Sequence, residues 1–161
     1  MVLKHILFAA IAAFFFCLAC ESKSEKDKKF DQLDERTKIR LMQYMAEGRR
    51  LYGLHCSNCH QVDGKGLARL YPPLKNSDYL KNNFVKVVCG IRYGQNRRII
   101  VNGIDFHQPM PANPRLTDLE IAEISTFVYN EFADSVVIIT MNHVRNTMNQ
   151  CVQDSTNQSS L

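Results

Sequence analysis

Two cysteines three positions apart, Cys56 and Cys59, stand directly before a histidine, His60. Cysteine and histidine in this order bind zinc, form a reactive dithiol or attach a haem covalently. Each of these uses needs different partners elsewhere in the chain. The remaining sequence therefore distinguishes them, and the answer restricts the folds open to the chain.

The first two uses lack the partners that they need. A structural zinc site takes four ligands, commonly from a second pair at similar spacing. The chain has no His-x-x-x-His, and its other Cys-x-x-Cys, Cys17 to Cys20, lies at the end of the apolar N-terminal stretch. A thioredoxin-like dithiol is expected in a βαβ context, whereas a run with helical periodicity precedes Cys56. A covalent haem accounts for every position: Cys56 and Cys59 form thioethers to it, and His60 offers its imidazole to the iron.

A haem-binding chain of this kind should supply a second axial ligand well downstream of the motif. Met110 lies in the segment FHQPMPANP, between Pro109 and Pro111, which stiffen the backbone around it. A thioether ligand is typical of an electron carrier, because it raises the reduction potential. We therefore predict Met110 as the ligand, with His107 as its competitor. The other candidates are better explained by packing on helices: Met42, Met45, Met141 and Met148.

The N-terminus predicts export. Residues 1–19 read as a signal peptide, with Lys4 before the apolar stretch 6–19, which is shorter than the roughly 18 apolar residues of a membrane span. Cys17-Leu18-Ala19-Cys20 resembles a bacterial lipobox, with Cys17 where leucine is usual. We expect lipidation of Cys20 and a periplasmic, membrane-anchored protein; the alternative is an ordinary signal peptide that leaves Cys20 as an incidental thiol.

The chain after residue 19 divides by composition. Residues 20–37 are dense in both charge signs and predict a flexible tether. Residues 38–135 form the main domain, 136–151 an extension with a helix, and 152–161 a disordered tail. After the signal peptide, Cys20 and the motif are set aside, Cys89 and Cys151 remain, and we predict that they form a disulfide in an oxidising compartment. Two buried free thiols are the alternative.

The periodicity of apolar residues predicts a mostly helical domain. Long helices are expected over 39–56 and, behind the capping box of Thr117 and Glu120, to about residue 132. Shorter helices are expected from residue 76 or 77 to 80, over 83–88 with a stop at Gly90, and from Thr140 to Cys151. Residues 91–103 predict a small hairpin or extended loop around the turn of Gly94, Gln95 and Asn96.

With these features in place, the chain over about residues 40–132 resembles a class I c-type cytochrome. Gly48, Tyr52 and Cys56 match the family's first helix, and Pro72 matches the proline that follows the haem motif. The family's last helix has a matching apolar set: Ile124, Phe127 and Val128. The resemblance implies helices wrapped around one covalent haem c, with a small hairpin and an extra C-terminal helix. It also implies that the Pro72 carbonyl accepts a hydrogen bond from the second ring nitrogen of His60.

Finer patterns, YPPL-x-x-S-D-Y-L, V-N-G and Q-P-M-P, are similar to those of single-haem domains that accompany periplasmic oxidoreductases. Copper nitrite reductases and quinoprotein dehydrogenases are examples. The similarity implies that the chain donates or accepts single electrons in a respiratory chain, with an oxidase, reductase or dehydrogenase as its partner. It then has no substrate chemistry of its own, and the alternative is a haem enzyme or gas sensor with an open distal site.

The charge pattern limits the partners. The chain carries a formal net charge of +4, but its basic residues are dispersed, which argues against nucleic-acid binding. A positive rim could steer an acidic redox partner. Ordinary solvated arginines explain the same pattern, and one of them could instead pair with a haem propionate. The residues concerned are Arg49, Arg50, Arg69, Arg92, Arg97 and Arg98.

Overall fold

The computed structural model describes residues 23–156, with side chains to residue 151. The predicted signal peptide, Cys20 and residues 157–161 lie outside the described part. Within that part, no helix combines the length and the apolar character that crossing a bilayer requires.

The described chain is mostly helical, with one two-stranded antiparallel hairpin, as the sequence predicted. In chain order the elements are α1 (Glu25–Asp31), α2 (Glu35–His55), α3 (Ser57–His60), α4 (Asp78–Asn82), α5 (Phe84–Tyr93), β1 (Ile99–Val101), β2 (Ile104–Phe106), α6 (Asp118–Phe132) and α7 (Met141–Thr156).

Helix α6 is the central element of the core. It begins at the predicted capping box: Thr117 Oγ1 accepts the amide of Glu120 at 3.2 Å, and the Glu120 carboxylate accepts the amide of Thr117 at 2.7 Å. Most of its side chains are buried, and those of Ile121 and Ile124 are fully so. A helix buried on nearly all sides must have neighbours around it, and α2, α5 and α7 all contact it.

Helix α2 crosses α6 at Gly48. A Cβ built on Gly48 would lie 2.1 Å from the carbonyl oxygen of Glu123 and 2.8 Å from Cβ of Phe127. Only a residue without a side chain permits this approach. Next to the crossing, the ring of Tyr52 packs against Phe127 and Phe132, with centroids 5.3 and 5.4 Å apart.

The hairpin forms, but its turn lies further along the chain than predicted. Ile99 pairs with Phe106 and Val101 with Ile104, so the turn is Asn102-Gly103, with φ of 51° and 75°. Positive φ at both central positions suits the right-handed twist of a two-residue hairpin, and Asn-Gly is the sequence that adopts it best.

Helix α5 does not stop at Gly90, as the sequence suggested, but continues to Tyr93. Buried Val88 and Ile91 lie on either side of Gly90 and hold the helix against the core. Their burial outweighs the cost of about 1 kcal/mol for a glycine in a helix. The helix ends instead at Gly94, with φ of 79°.

Part of the segment predicted as a tether is helical. Ser24 and Asp27 form a capping box at the start of α1, with the Ser24 hydroxyl accepting the Asp27 amide at 3.1 Å. The ammonium of Lys26 donates to the carbonyl of Asn130, near the end of α6. The capping box and the Lys26–Asn130 hydrogen bond thus stabilise α1, although its residues bury little apolar surface. Tethering by the residues before α1 stays a prediction.

The C-terminal helix α7 packs against α5 and α6. Its backbone extends to Thr156, beyond the expected end at Cys151 and into the segment predicted to be disordered. In the structure a disulfide joins Cys151 to Cys89 of α5, with Cα atoms 5.8 Å apart. The extra helix is therefore attached covalently to the domain.

The crossing at Gly48 predicts a specific sensitivity. Gly48→Ala should lower the free energy of unfolding by about 3 kcal/mol or more, because the new methyl group forces α2 away from α6. Gly53→Ala, in the same helix, is the control: its Cβ would meet nothing within 4 Å. It should be neutral or stabilising by up to about 1 kcal/mol. Urea unfolding followed by far-UV circular dichroism measures both, and equal midpoints would contradict the close crossing.

Candidate functional site

The motif residues lie at the junction of two helices. Cys56 ends α2 with φ of −123°, and the single turn α3 follows directly. The amides of Cys59 and His60 both donate to the Cys56 carbonyl, at 3.2 and 3.0 Å. This tight turn brings both thiols and the imidazole to the wall of one cavity.

The orientation of His60 is set by Pro72. His60 is 9% exposed, and its Nδ1 lies 3.0 Å from the Pro72 carbonyl oxygen. A carbonyl can only accept, so Nδ1 carries the proton and Nε2 keeps its lone pair. Burial lowers the pKa of His60, against the opposing effect of the Pro72 carbonyl. No described residue bonds to Nε2, so the neutral ring presents a free lone pair of the kind that binds a metal.

The loop from residue 61 to 76 holds the Pro72 carbonyl in place through Gly66. Gly66 has φ of +68°, and a Cβ there would lie 2.3 Å from the Tyr71 carbonyl oxygen and 2.7 Å from that of Pro72. The Gly66 amide donates to the His60 carbonyl at 2.9 Å. Gly66 thus touches both partners of the His60–Pro72 bond. The sequence did not single out Gly66, because nothing local shows which carbonyls it meets.

The cavity itself is apolar and opens to solvent on one side. Its walls come from α4, α5, both strands and α6, chiefly through Leu80, Val87, Gly90, Ile91, Ile99, Val101, Phe106, Ile124 and Val128. Gly90 is buried, yet a Cβ on it would meet nothing within 4 Å, which marks open space beside α5.

All five haem-related residues named from the sequence line this cavity. They are Cys56, Cys59, His60, Pro72 and Met110. His107, the competing ligand, is exposed and lies outside the lining. The disulfide of Cys89 and Cys151 lies in a neighbouring groove instead.

Met110 is held by a backbone bridge that sequence reasoning missed. The Gln95 amide donates to the Met110 carbonyl at 2.9 Å, and the Met110 amide donates to the Gln95 carbonyl at 2.8 Å. A Cβ on Gly94, which precedes Gln95, would lie 2.7 Å from the Met110 carbonyl oxygen. Only the folded chain brings these segments, 15 residues apart, into register.

The thiol environment argues against the two other uses of the motif. Burial, followed by the nearby Cys59, raises the pKa of Cys56 to about 12, whereas reactive dithiols depend on a lowered thiol pKa. The described residues also contain no group of three or more His, Cys, Asp or Glu side chains placed to hold a metal ion. A redox dithiol and a zinc knuckle are both disfavoured.

The charges in the lining fit one class of cofactor. Lys86 and Arg97 are the charged residues in the lining, and both also line the neighbouring surface groove. Among the described residues, no carboxylate lines the cavity. An apolar site with two thiols, one free imidazole nitrogen and two cations at its edge suits a flat apolar molecule that carries a metal and carboxylates. The residues present therefore fit a haem.

Comparison with known proteins gives the same answer. The family model of cytochrome c matches residues 45–130, more than half of the chain. Cytochrome c-552 of Thermus thermophilus is 27% identical over 94 residues, which cover 56% of this chain and 71% of that protein. A cytochrome c-552 from a named strain of the same organism is also 27% identical over 94 residues, covering 63% of its length.

The matched range runs from α2 to α6 and includes the motif, the His60–Pro72 loop and Met110. It ends before α7 and the disulfide cysteine on it. The chain therefore belongs to the cytochrome c family, and it is an electron carrier with covalently bound haem c as its cofactor.

Proposed function

We propose that this protein carries single electrons through one haem c attached at Cys56 and Cys59, with His60 and Met110 as axial iron ligands. The observation that carries the proposal is the cavity, which has these four side chains in its lining. The bound haem iron supplies the one-electron redox chemistry. The protein attaches it, orients its ligands and keeps water from it.

The two proposed ligands are held by unrelated parts of the structure. Pro72 fixes the tautomer of His60 and makes its free nitrogen a better electron donor. The bridge to Gln95 and the flanking prolines hold the backbone of Met110. Ligands held rigidly in both oxidation states reduce the rearrangement that accompanies electron transfer. With both axial positions filled by protein, no position is left for a substrate.

The charged edge of the cavity supports one orientation of the haem. Cys56 lies directly after α2 and Cys59 lies on α3, whereas Lys86 lies on α5 and Arg97 on the loop after it. Lys86 and Arg97 would hold the haem carboxylates, because they pair opposite charges where the cavity meets the surface groove. Cys56 and Cys59 would hold the ring covalently.

The cellular setting of the proposal comes from the N-terminal sequence and from the resemblance described above. We place the carrier in the periplasm, anchored to a membrane through a lipidated Cys20. Its partners are then a respiratory oxidase, reductase or dehydrogenase, with copper nitrite reductase as one example of the class. Attachment of haem c is consistent with export, and relatives carry the name cytochrome c-552.

Replacing Met110 tests the ligand assignment. The oxidised protein should show the methionine-to-iron charge-transfer band at the red end of its spectrum. Met110→Ala should lose the band, become high-spin and bind carbon monoxide when reduced, because the iron gains an open position. Met148→Ala, which removes a methionine packed against the core on α7, is the control and should keep the band.

Two other results would contradict parts of the proposal. A band that survives Met110→Ala, and is lost instead in His107→Ala or another variant, would move the ligand elsewhere. A parent protein that is already high-spin and binds carbon monoxide readily would favour the alternative, a haem enzyme or gas sensor.

The His60–Pro72 hydrogen bond can be tested through Gly66. Gly66→Ala should displace the Pro72 carbonyl, weaken electron donation by His60 and so raise the reduction potential. Gly103→Ala is the matched control: Gly103 also has positive φ, at 75°, but a Cβ there meets nothing within 4 Å. It should cost about 1–2 kcal/mol of stability from backbone strain alone and leave the potential unchanged. Redox titration followed at the haem absorption bands measures both variants; equal potentials would show that Pro72 has no such effect.

The proposed anchor depends on Cys20. Mass spectrometry of the mature protein should find acyl chains on Cys20 and cleavage after Ala19, and cell fractionation should place the protein with membranes. Cys20→Ala should remove the acyl chains and release the protein in soluble form. Cys17→Leu, which restores the usual lipobox residue in the part that is cleaved off, should remain membrane-bound. Recovery of the parent protein in soluble form with an unmodified cysteine would contradict the anchor.

A further inference from the structure

We propose that helix α7, through its disulfide to α5, positions Met110 in the haem cavity. The proposal rests on the function proposed above, in which Met110 is an axial ligand. It assigns a role to the part of the chain that lies beyond the matched range of the cytochrome c family. The disulfide is more than 20 residues away from Met110 in both directions along the chain, so the connection has to run through the folded structure.

Helix α5 lies between the cavity and α7. Val87 and Ile91 line the cavity, and Cys89 is two residues from each of them. Two residues correspond to roughly 200° around a helix axis, so Cys89 is on the opposite side of α5. There it forms the disulfide with Cys151 of α7. Helix α7 therefore backs the cavity wall from behind.

The last turn of α5 and the loop directly after it are bonded to residues 110–113, which we call the Met110 segment. At one end of the segment, Gln95 and Met110 exchange two backbone hydrogen bonds of 2.9 and 2.8 Å. At the other end, the amide of Asn113 donates to the carbonyls of Ile91 and Arg92 at 3.3 and 3.2 Å. The Asn113 side chain adds a third bond to the Ile91 carbonyl at 3.2 Å. Any displacement of the last turn of α5 therefore displaces Met110.

Helix α7 and the segment directly before it are fixed to α6 independently of α5. Val144 is completely buried, and Ile139 is 3% exposed. The Ile139 amide donates to the Thr126 hydroxyl at 2.9 Å, and the Asn130 side chain donates to the Val137 carbonyl at 2.7 Å. The disulfide thus ties α5 to a helix that is itself anchored in the core.

His60 depends on a different set of contacts. Its position is set by α3, by the Pro72 carbonyl and by the loop through Gly66, and the disulfide touches none of these. Loss of the disulfide should therefore loosen the methionine side of the haem and leave the histidine side unchanged. A merely structural disulfide would instead affect global stability without changing how often Met110 leaves the iron.

The experiment uses the haem-loaded protein and the double variant Cys89→Ala, Cys151→Ala. Imidazole binds oxidised haem iron only after the methionine leaves, so its limiting binding rate at saturating concentration reports the opening of the Met110 segment. We expect this rate to rise roughly tenfold, the equivalent of about 1.4 kcal/mol. Asn149→Ala, an exposed position on α7, is the control and should stay within twofold of the parent. Gly94→Ala should also accelerate binding, because its Cβ would strike the Met110 carbonyl.

Chemical reduction provides a second route should the double variant fail to fold. A phosphine cleaves the disulfide of the intact protein: it takes oxygen from water to become the phosphine oxide, and two thiols form. Alkylating the thiols keeps them apart, and ferricyanide then reoxidises the haem. Cys56 and Cys59 do not react if both are thioethers, and mass spectrometry counts the alkyl groups.

The outcomes separate this proposal from the one before it. A faster imidazole rate, with the far-UV spectrum unchanged, supports positioning by α7. A rate within twofold of the parent, in protein shown to lack the disulfide, overturns the positioning role and leaves the ligand assignment intact. A parent without the methionine-to-iron band overturns the ligand assignment itself, and this inference with it.

Discussion

The close approach of α2 to α6 at Gly48 is the contact on which the rest of the structure depends. It fixes the direction of the α2 axis, and the last turn of α2 places Cys56 at the cavity. It also brings Tyr52 against the aromatic rings of α6, from where the Tyr52 hydroxyl donates to the Gln61 carbonyl at 2.7 Å. A larger residue at Gly48 would clash with the backbone of α6.

The two sides of the cavity are built by different means. On the histidine side, the residues are close in sequence: a helical turn and a loop of 12 residues place the Pro72 carbonyl behind His60. On the methionine side, α5 and the loop after it have to be aligned with residues that come 15 positions later. That side has a paired hairpin, a glycine at positive φ and a disulfide-linked helix behind it. The methionine side is therefore stabilised by contacts between distant segments. One continuous turn cannot align residues that are so far apart in the sequence.

Where sequence predictions failed, a tertiary contact or a stronger local signal decided the structure. Gly90 does not stop α5, because burial of its neighbours outweighs a modest local cost. The hairpin turns at Asn102-Gly103, since that pair tolerates positive φ better than the earlier Gly-Gln-Asn, which instead terminates α5. Helix α1 forms where charge density suggested a tether, because a capping box is a local feature that a reading based on composition overlooks.

The sequence by itself determined the cofactor and the two long helices α2 and α6, because these depend on patterns within the chain. Cys56, Cys59 and His60 indicate a haem once the partners of a zinc site and of a redox dithiol are found to be missing, and Thr117 with Glu120 starts a helix in almost any surroundings. Only the tertiary structure decided which carbonyls Gly66 meets, that Gln95 pairs with Met110 and that α7 backs α5. These contacts join segments that are distant in the sequence. They depend on how the folded segments pack and align, and no local sequence pattern encodes that.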